Sequence, residues 1–260
     1  MRITLIQQSI IPGDKQANYA RVEALVSEAV AQSEVAPDVI VLPELWSTGY
    51  ALAELDSLAS AEGKEEADFL GELAAKYGIW FAGGSVAAKI DRGITNRAQI
   101  VDRNGRLAAT YDKTHLVPML DEDKYLVAGD RCCVYPIENI TFGLAVCYDL
   151  RFCEFLRKLA LKGAQALIIS AEWPLVRLNH WEALLKARAI ENQCYVLAAN
   201  NTAMGSAPFA GHSQALAPDG STLCRLGFQE GLAVAEIDPD TVTQIRQAVP
   251  VFRDRRPEIY

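Results

Sequence analysis

The chain predicts an α/β fold with a mixed sheet. Three observations carry that prediction. Short apolar, β-branched runs alternate with amphipathic stretches of helical period. Two Asx-Gly dipeptides, Asn104-Gly105 and Asp219-Gly220, fall between alternating runs, where they read as hairpin turns. The two halves also share one layout of strand, helix, strand, helix, strand and hairpin, which predicts two pseudo-symmetric halves. Strands joined through helices lie parallel and hairpin strands antiparallel, so the sheet is mixed.

Each element follows from its residues. "ITLIQQ" at the start is a strand, and "NYARVEALVSEAVAQ" after it is a helix with Val22, Leu25, Val26, Ala29 and Val30 on one face. "DVIVLPE" is a strand cut by Pro43. "EEADFLGELAAKYG" is a helix stopped by Gly78, and "IWFAGGSVAA" is a strand containing a glycine pair. "NRAQIVDRNGRLAATYDK" is the first hairpin. The second half runs "TFGLAVCYD" (strand), "FCEFLRKLALKGA" (helix), "ALIISAEW" (strand), "NHWEALLKARAIENQ" (helix) and "CYVLAANN" (strand). "HSQALAPDGSTLCRLG" is the second hairpin, and "GLAVAEID" a last strand before a short helix. No linker or low-complexity segment interrupts residues 1–260, so one domain is expected.

Bulk properties narrow the function. The chain has 260 residues, is half hydrophobic, and carries a formal net charge of −8. An acidic protein repels nucleic acid at long range, and the basic "FRDRRPEIY" at the C-terminus is short and mixed with acids. No apolar window reaches the ~18 residues of a spanning helix, and "MRITLIQQSI" is too short for a secretory signal. A cytoplasmic protein with six reduced, mostly buried cysteines is the expectation, with no nucleic-acid or membrane partner. Scattered histidines and the lack of a CxxC pair argue against a metal.

Three places set polar residues where a buried strand ends, the usual address of function in α/β sheets. Glu44 follows four apolar residues and a proline; an acid there needs a partner if buried, and positioned it can act as a general base. Lys113 ends a hairpin strand, where an ammonium can stabilise charge on a substrate oxygen. Cys147 lies where "GLAV" turns into "YDLRFCEFL". A helix start there offers partial positive charge and free N–H groups, which would lower the thiol pKa and build an oxyanion hole. His115 in "YDKTHL" reads as a hydrogen-bonded structural residue. A filler role suits the other cysteines, Cys153 included.

In order, "LPELWSTGY", "YDKTHL", "VCYDLRF" and "ARAIENQCYV" resemble the nitrilase superfamily of carbon–nitrogen hydrolases over nearly the whole chain. The resemblance implies a four-layer α-β-β-α sandwich, and a homodimer or higher homo-oligomer paired through a helical face. It implies Glu44 as general base, Lys113 as the cation at the tetrahedral intermediate, Cys147 as nucleophile, and the Tyr148 N–H as an oxyanion donor. In "EDKYLVAGD", Glu122 ahead of Gly129 matches a second glutamate of the family. No cofactor or metal is implied. "CYDLRF", "SAEWP" and "HWEALLKARAIENQ" are most similar to the ω-amidase-like branch, which hydrolyses the terminal amide of 2-oxoglutaramate or 2-oxosuccinamate. Arg151 and Arg177 are then candidates for the substrate carboxylate, or Arg151 pairs with Asp149 or a helix acid. Tyr50 and Trp173 are candidates for the pocket wall, and Trp173 and Trp181 suit the core or a subunit interface. An N-carbamoyl-amine hydrolase, a nitrilase, another aliphatic amidase, or a non-catalytic binding module of this fold are the alternatives.

Overall fold

The computed structural model describes residues 1–32, 35–203 and 208–259; Tyr260, the last residue of the C-terminal tail, lies outside them. The first half comprises β1 (Arg2–Gln7), α1 (Lys15–Ala31), β2 (Val39–Val41), the short α2 (Leu55–Leu58), β3 (Ser60–Ala61), α3 (Lys64–Tyr77), β4 (Trp80–Ile90), β5 (Gly93–Val101) and β6 (Leu107–Asp112). After the single turn α4 (Glu122–Tyr125) come β7 (Val134–Ile137), β8 (Ile140–Val146), α5 (Cys153–Leu161), β9 (Ala166–Ala171), α6 (Leu178–Asn192) and β10 (Tyr195–Asn200). The chain then adds β11 (Gln214–Leu216), β12 (Thr222–Arg225), β13 (Gly231–Glu236) and α7 (Pro239–Ala248).

Two sheets result, in the orders β13-β1-β2-β4-β5-β6 (with β3 on β4) and β12-β11-β10-β9-β8-β7. Each has three parallel central strands, β1-β2-β4 in one and β8-β9-β10 in the other. Antiparallel strands flank both triplets. The mapping β1 to β8, β2 to β9 and β4 to β10 is the doubled layout anticipated from sequence.

Side-chain alternation sorts the layers. Ile3, Leu5, Val39, Val41 and Ala82 join Leu144, Ile168 and Leu197 of the other sheet in one core. Their strand neighbours Ile6, Ile40 and Phe81 instead pack on Val22, Leu25 and Val26 of α1 and on Leu70 and Leu73 of α3. Helices α5 and α6 cover the second sheet, through Leu156, Leu159, Leu185 and Ala189. The architecture is an α-β-β-α sandwich. Each fully buried aliphatic side chain contributes roughly 1.5–3 kcal/mol.

Helix ends follow local chemistry. The α1 helix starts before the predicted Asn18 because Asp14 caps it, accepting from Ala17 N at 3.0 Å. The α3 helix ends at Gly78 in the left-handed region, φ +68°. The cysteines depart from expectation. Cys147 and Cys194 are buried and Cys132, Cys133 and Cys224 half-buried, but Cys153 is exposed. It is the first residue of α5, so it fills no core space.

The glycine pair is a structural device. Gly83 and Gly84 have φ of +76° and +74° and form an irregularity in the β4–β5 ladder. A Cβ on Gly83 would sit 2.6 Å from Ile168 Cγ2 of the opposite sheet, and Gly84 N donates to Ser170 Oγ at 2.7 Å. Ser85, directly after the pair, holds the segment leaving β2: its Oγ accepts from Leu45 N (2.9 Å) and its carbonyl from Trp46 N (3.1 Å). Gly83→Ala is expected to destabilise the fold by about 2–5 kcal/mol, from left-handed strain plus overpacking. A lowered denaturant midpoint at unchanged slope would show it; an unchanged midpoint would remove the glycine pair's role.

Candidate active site

Glu44 lies just past β2, fully buried. Its Oε1 accepts from Lys113 Nζ at 2.8 Å and Asn96 Nδ2 at 2.8 Å, and from Tyr50 OH at 3.4 Å. Its Oε2 accepts from Glu172 N at 2.9 Å. Three close donors, Lys113, Asn96 and the Glu172 N–H, converge on one carboxylate, which answers the desolvation its burial imposes.

Lys113 follows β6, with its N–H on Asn96 O (2.8 Å) and its carbonyl accepting from Gly129 N (2.9 Å). A Cβ on Gly129 would meet Asp112 O at 2.1 Å, so only glycine lets that segment lie against the Lys113 strand. The ammonium, also fully buried, bonds Glu44 and Glu122 Oε1 (2.7 Å). Burial alone would push the Lys113 pKa down; the Glu44 and Glu122 charges outweigh it, and the ammonium is held above the ordinary lysine value.

Glu122 comes from α4. Its Oε2 accepts from Val117 N at 2.8 Å, and its Oε1 also accepts from Tyr50 OH. Burial first, against the pull of Lys113 and with the push of Glu44, raises its pKa. Tyr50 therefore belongs to the hydrogen-bond network around the carboxylates and borders the depression beside it.

Cys147 sits where β8 gives way to a 3₁₀ turn, Cys147–Arg151, with φ +45°. A non-glycine residue there is strained. Asp149 holds the turn: its Oδ2 accepts from Val146 N (2.8 Å) and Tyr111 OH (2.7 Å), and its Oδ1 from His115 N (3.1 Å). His115 Nδ1 is also 2.7 Å from Asp149 Oδ1. His115 is thus a structural tie between the elbow and the segment after Lys113, and Asp149 is engaged elsewhere than with Arg151. The thiol is buried within reach of the Glu44 carboxylate. The expected lowering of its pKa does not occur. Burial, then the Glu44 charge, raise it well above the usual thiol value despite Lys113. A turn this short carries little dipole, and burial with the Glu44 charge outweighs it. The Tyr148 N–H lies in the first turn of that 3₁₀ segment, where backbone donors lack intrahelical acceptors.

A cavity of about 280 Å³ opens onto Cys147. Tyr148, Glu172, Trp173, Arg151 and Arg177 line it. Arg151 lies 4.5 Å over the Trp173 ring, and its Nη1 is 3.4 Å from His180 Nδ1. Arg177 Nη2 meets Met119 Sδ at 3.7 Å. Among the described residues neither guanidinium has a carboxylate at ion-pairing distance. Trp173 and Trp181 are both buried, their rings 5.4 Å apart.

Sequence reasoning missed Glu172, Asn96 and Asn201. Glu172 was hidden inside a run read as strand, "ALIISAEW"; its signal was an acid directly after six buried residues, the same kind of signal that singled out Glu44. Asn96 and Asn201 offered none, because a buried amide is recognised by its partners.

A family model described as Carbon-nitrogen hydrolase matches residues 2–247. The chain is 42% identical to the 2-oxoglutaramate amidase of Bacillus subtilis (strain 168), over 99% of this chain and 98% of that one. It is 30% identical to the omega-amidase NIT2 of Homo sapiens, over 100% and 96%. Its fold matches the crystal structure of XC1258 from Xanthomonas campestris, a CN-hydrolase superfamily protein, with a TM-score of 0.91 at 27% identity, covering 98% and 97%.

Proposed function

The chain belongs to the carbon–nitrogen hydrolase family, and from that premise we propose that it is an ω-amidase, releasing ammonia from the terminal amide of a small keto-acid amide such as 2-oxoglutaramate. The observation that carries this reading is the cavity itself. A buried cysteine lies at its base, and two arginines with no carboxylate at ion-pairing distance among the described residues line its wall, which suits a short substrate with an amide at one end and a carboxylate at the other. The likeness to 2-oxoglutaramate amidase supports the same substrate class.

The residues take these roles. Cys147 is the nucleophile. Its raised pKa keeps it a thiol at rest, so deprotonation accompanies attack. Glu44 takes the thiol proton as Sγ bonds the amide carbon, and the oxyanion forms between Lys113 Nζ and the Tyr148 N–H. Glu44 then protonates the departing nitrogen, the C–N bond breaks, and ammonia leaves a thioester. Glu44 next removes a proton from water, which attacks the thioester and releases the acid and the thiol. Glu122 holds Lys113 from its far side, and Tyr50 fixes Glu122. Every step uses groups of the chain.

Arg151 and Arg177 bind the substrate carboxylate. Arg151→Met and Arg177→Met are each expected to lower kcat/KM for 2-oxoglutaramate about 10- to 100-fold through KM, the worth of a hydrogen bond to a charged group. Turnover of butyramide, which lacks the carboxylate, should not change. Ammonia release from a panel of keto-acid amides, carbamoyl amines and nitriles tests the function. Preference for a carbamoyl amine, with carbon dioxide as co-product, would replace this reading with a carbamoyl-amine hydrolase.

The proposal extends to assembly and location. Exposed Leu161, Val249 and Val251 lie together beside α5, an apolar face suited to a second copy. Six free thiols suit a cytoplasmic protein. No described helix is long and apolar enough to cross a membrane.

A further inference from the structure

Glu172 has no part in the chemistry above, yet it borders the cavity on one side and the neighbouring depression on the other. It is 2% exposed. Its Oε2 accepts from Asn201 Nδ2 at 3.0 Å. Asn201 cannot be flipped to reverse that bond, because its Oδ1 accepts from Ile10 N (3.2 Å) and Ala203 N (2.8 Å). Oε2 is therefore an acceptor. Its sister Oε1 is buried and has no hydrogen-bond partner among the described residues. A buried oxygen without a partner calls for an explanation, and this one borders the cavity.

The surroundings decide its protonation. Glu44, Glu122 and Lys113 face it from the first half, two acids to one cation, with Asn201 neutral beside it. Tyr50, Arg151, Arg177 and His180 border the same space. Burial first, then the Glu44 charge, holds the Glu172 carboxyl well above the usual carboxylate range. With Oε2 accepting, the proton belongs on Oε1.

We propose that Glu172 is a specificity residue, whose Oε1–H donates a hydrogen bond to the carbonyl oxygen standing between the amide and the carboxylate of the substrate. This rests on the keto-acid amide reading. The amide carbon must lie at Cys147 and the carboxylate at the arginines, and Glu172 lines the cavity with both. A 2-oxo oxygen is the acceptor that the orphan hydroxyl lacks. A 2-ammonium in its place would meet a donor and two guanidinium groups, so the site rejects 2-amino amides.

The test compares 2-oxoglutaramate with glutaramate, the same chain without the oxo oxygen. Glu172→Leu is expected to reduce the preference for 2-oxoglutaramate, as the ratio of kcat/KM values, roughly tenfold or more. The loss should lie in KM, with glutaramate changed less than about threefold. Glu172→Gln keeps a neutral donor and should keep most of the preference. In the wild type the preference should fall as rising pH ionises Glu172; in Glu172→Gln it should stay flat. Equal losses on both amides in Glu172→Leu overturn the proposal, as does a pH fall in Glu172→Gln matching the wild type. Wild-type enzyme inactive on 2-oxoglutaramate overturns instead the functional reading beneath it.

Discussion

Cys147→Ala is expected to lower kcat for ammonia release from 2-oxoglutaramate on the order of 10⁵-fold, as loss of the nucleophile does where several groups act as a unit. The fold should survive. The thiol is one small side chain in a buried turn whose geometry is set by Asp149, through bonds to Val146 N, Tyr111 and His115. Alanine leaves those bonds in place, so the cost is about 1 kcal/mol, the scale of a small cavity. Cys147→Ser should lose nearly as much activity. A hydroxyl is a weaker nucleophile than a thiol, and this site, by burial and the Glu44 charge, already opposes an anion at that position. Circular dichroism and a melting temperature within a few degrees of wild type would establish folding. An alanine variant retaining more than a percent of turnover would reject the nucleophile assignment.

Lys113→Met tests a different element and should damage both activity and stability. The ammonium is the charge partner of two buried carboxylates, 2.8 Å from Glu44 and 2.7 Å from Glu122. Breaking a buried ion pair on one side costs about 3–5 kcal/mol, because the remaining charges lose compensation. The pKa of Lys113 is raised in the folded protein, so its stabilisation is fully present below the ordinary value of 10.5 and wanes only above it. A comparison at pH 7 therefore reads the whole effect. In the variant, Glu122, already raised by burial and the Glu44 charge, loses the pull of Lys113 and binds a proton more readily in the folded state. The folded form then holds more protons than the unfolded one, and stability should rise as pH falls from 7 toward 5. Activity should drop about 10³-fold with the oxyanion donor gone. Denaturation at several pH values checks the sign; a variant as stable as wild type at pH 7 would contradict the geometry.

Much of this was legible beforehand because the determinants are local. The central strands announce themselves as β-branched runs, α1 and α3 as one-faced helices, and both hairpins through glycine at the turn. Glu44, Lys113 and Cys147 were legible because each breaks a core pattern at a strand end. What failed depended on the other half of the molecule. Cys147 was given a lowered pKa from its own turn, but burial between the sheets, and then the charge of Glu44 from the other half, reverse the sign. Tyr50 borders the depression as a wall residue would, but the bond of its hydroxyl to Glu122 is one that no spacing reveals. Glu172 went unremarked because only the stacking of the sheets turns a strand-end acid into a buried one. The tight turn between β4 and β5 at Asp91-Arg92 carries no Asx-Gly signal and was missed.

The correspondence of β2 with β9 gives the reaction centre a composite parentage. Glu44 leaves one of these strands and Glu172 the other, and the backbone of the second grips the carboxylate of the first. Lys113 and Glu122 belong to the leading half of the polypeptide, Cys147 and Tyr148 to the trailing half. Neither half owns a working set. Turnover therefore depends on how the two layers of strands seat against each other.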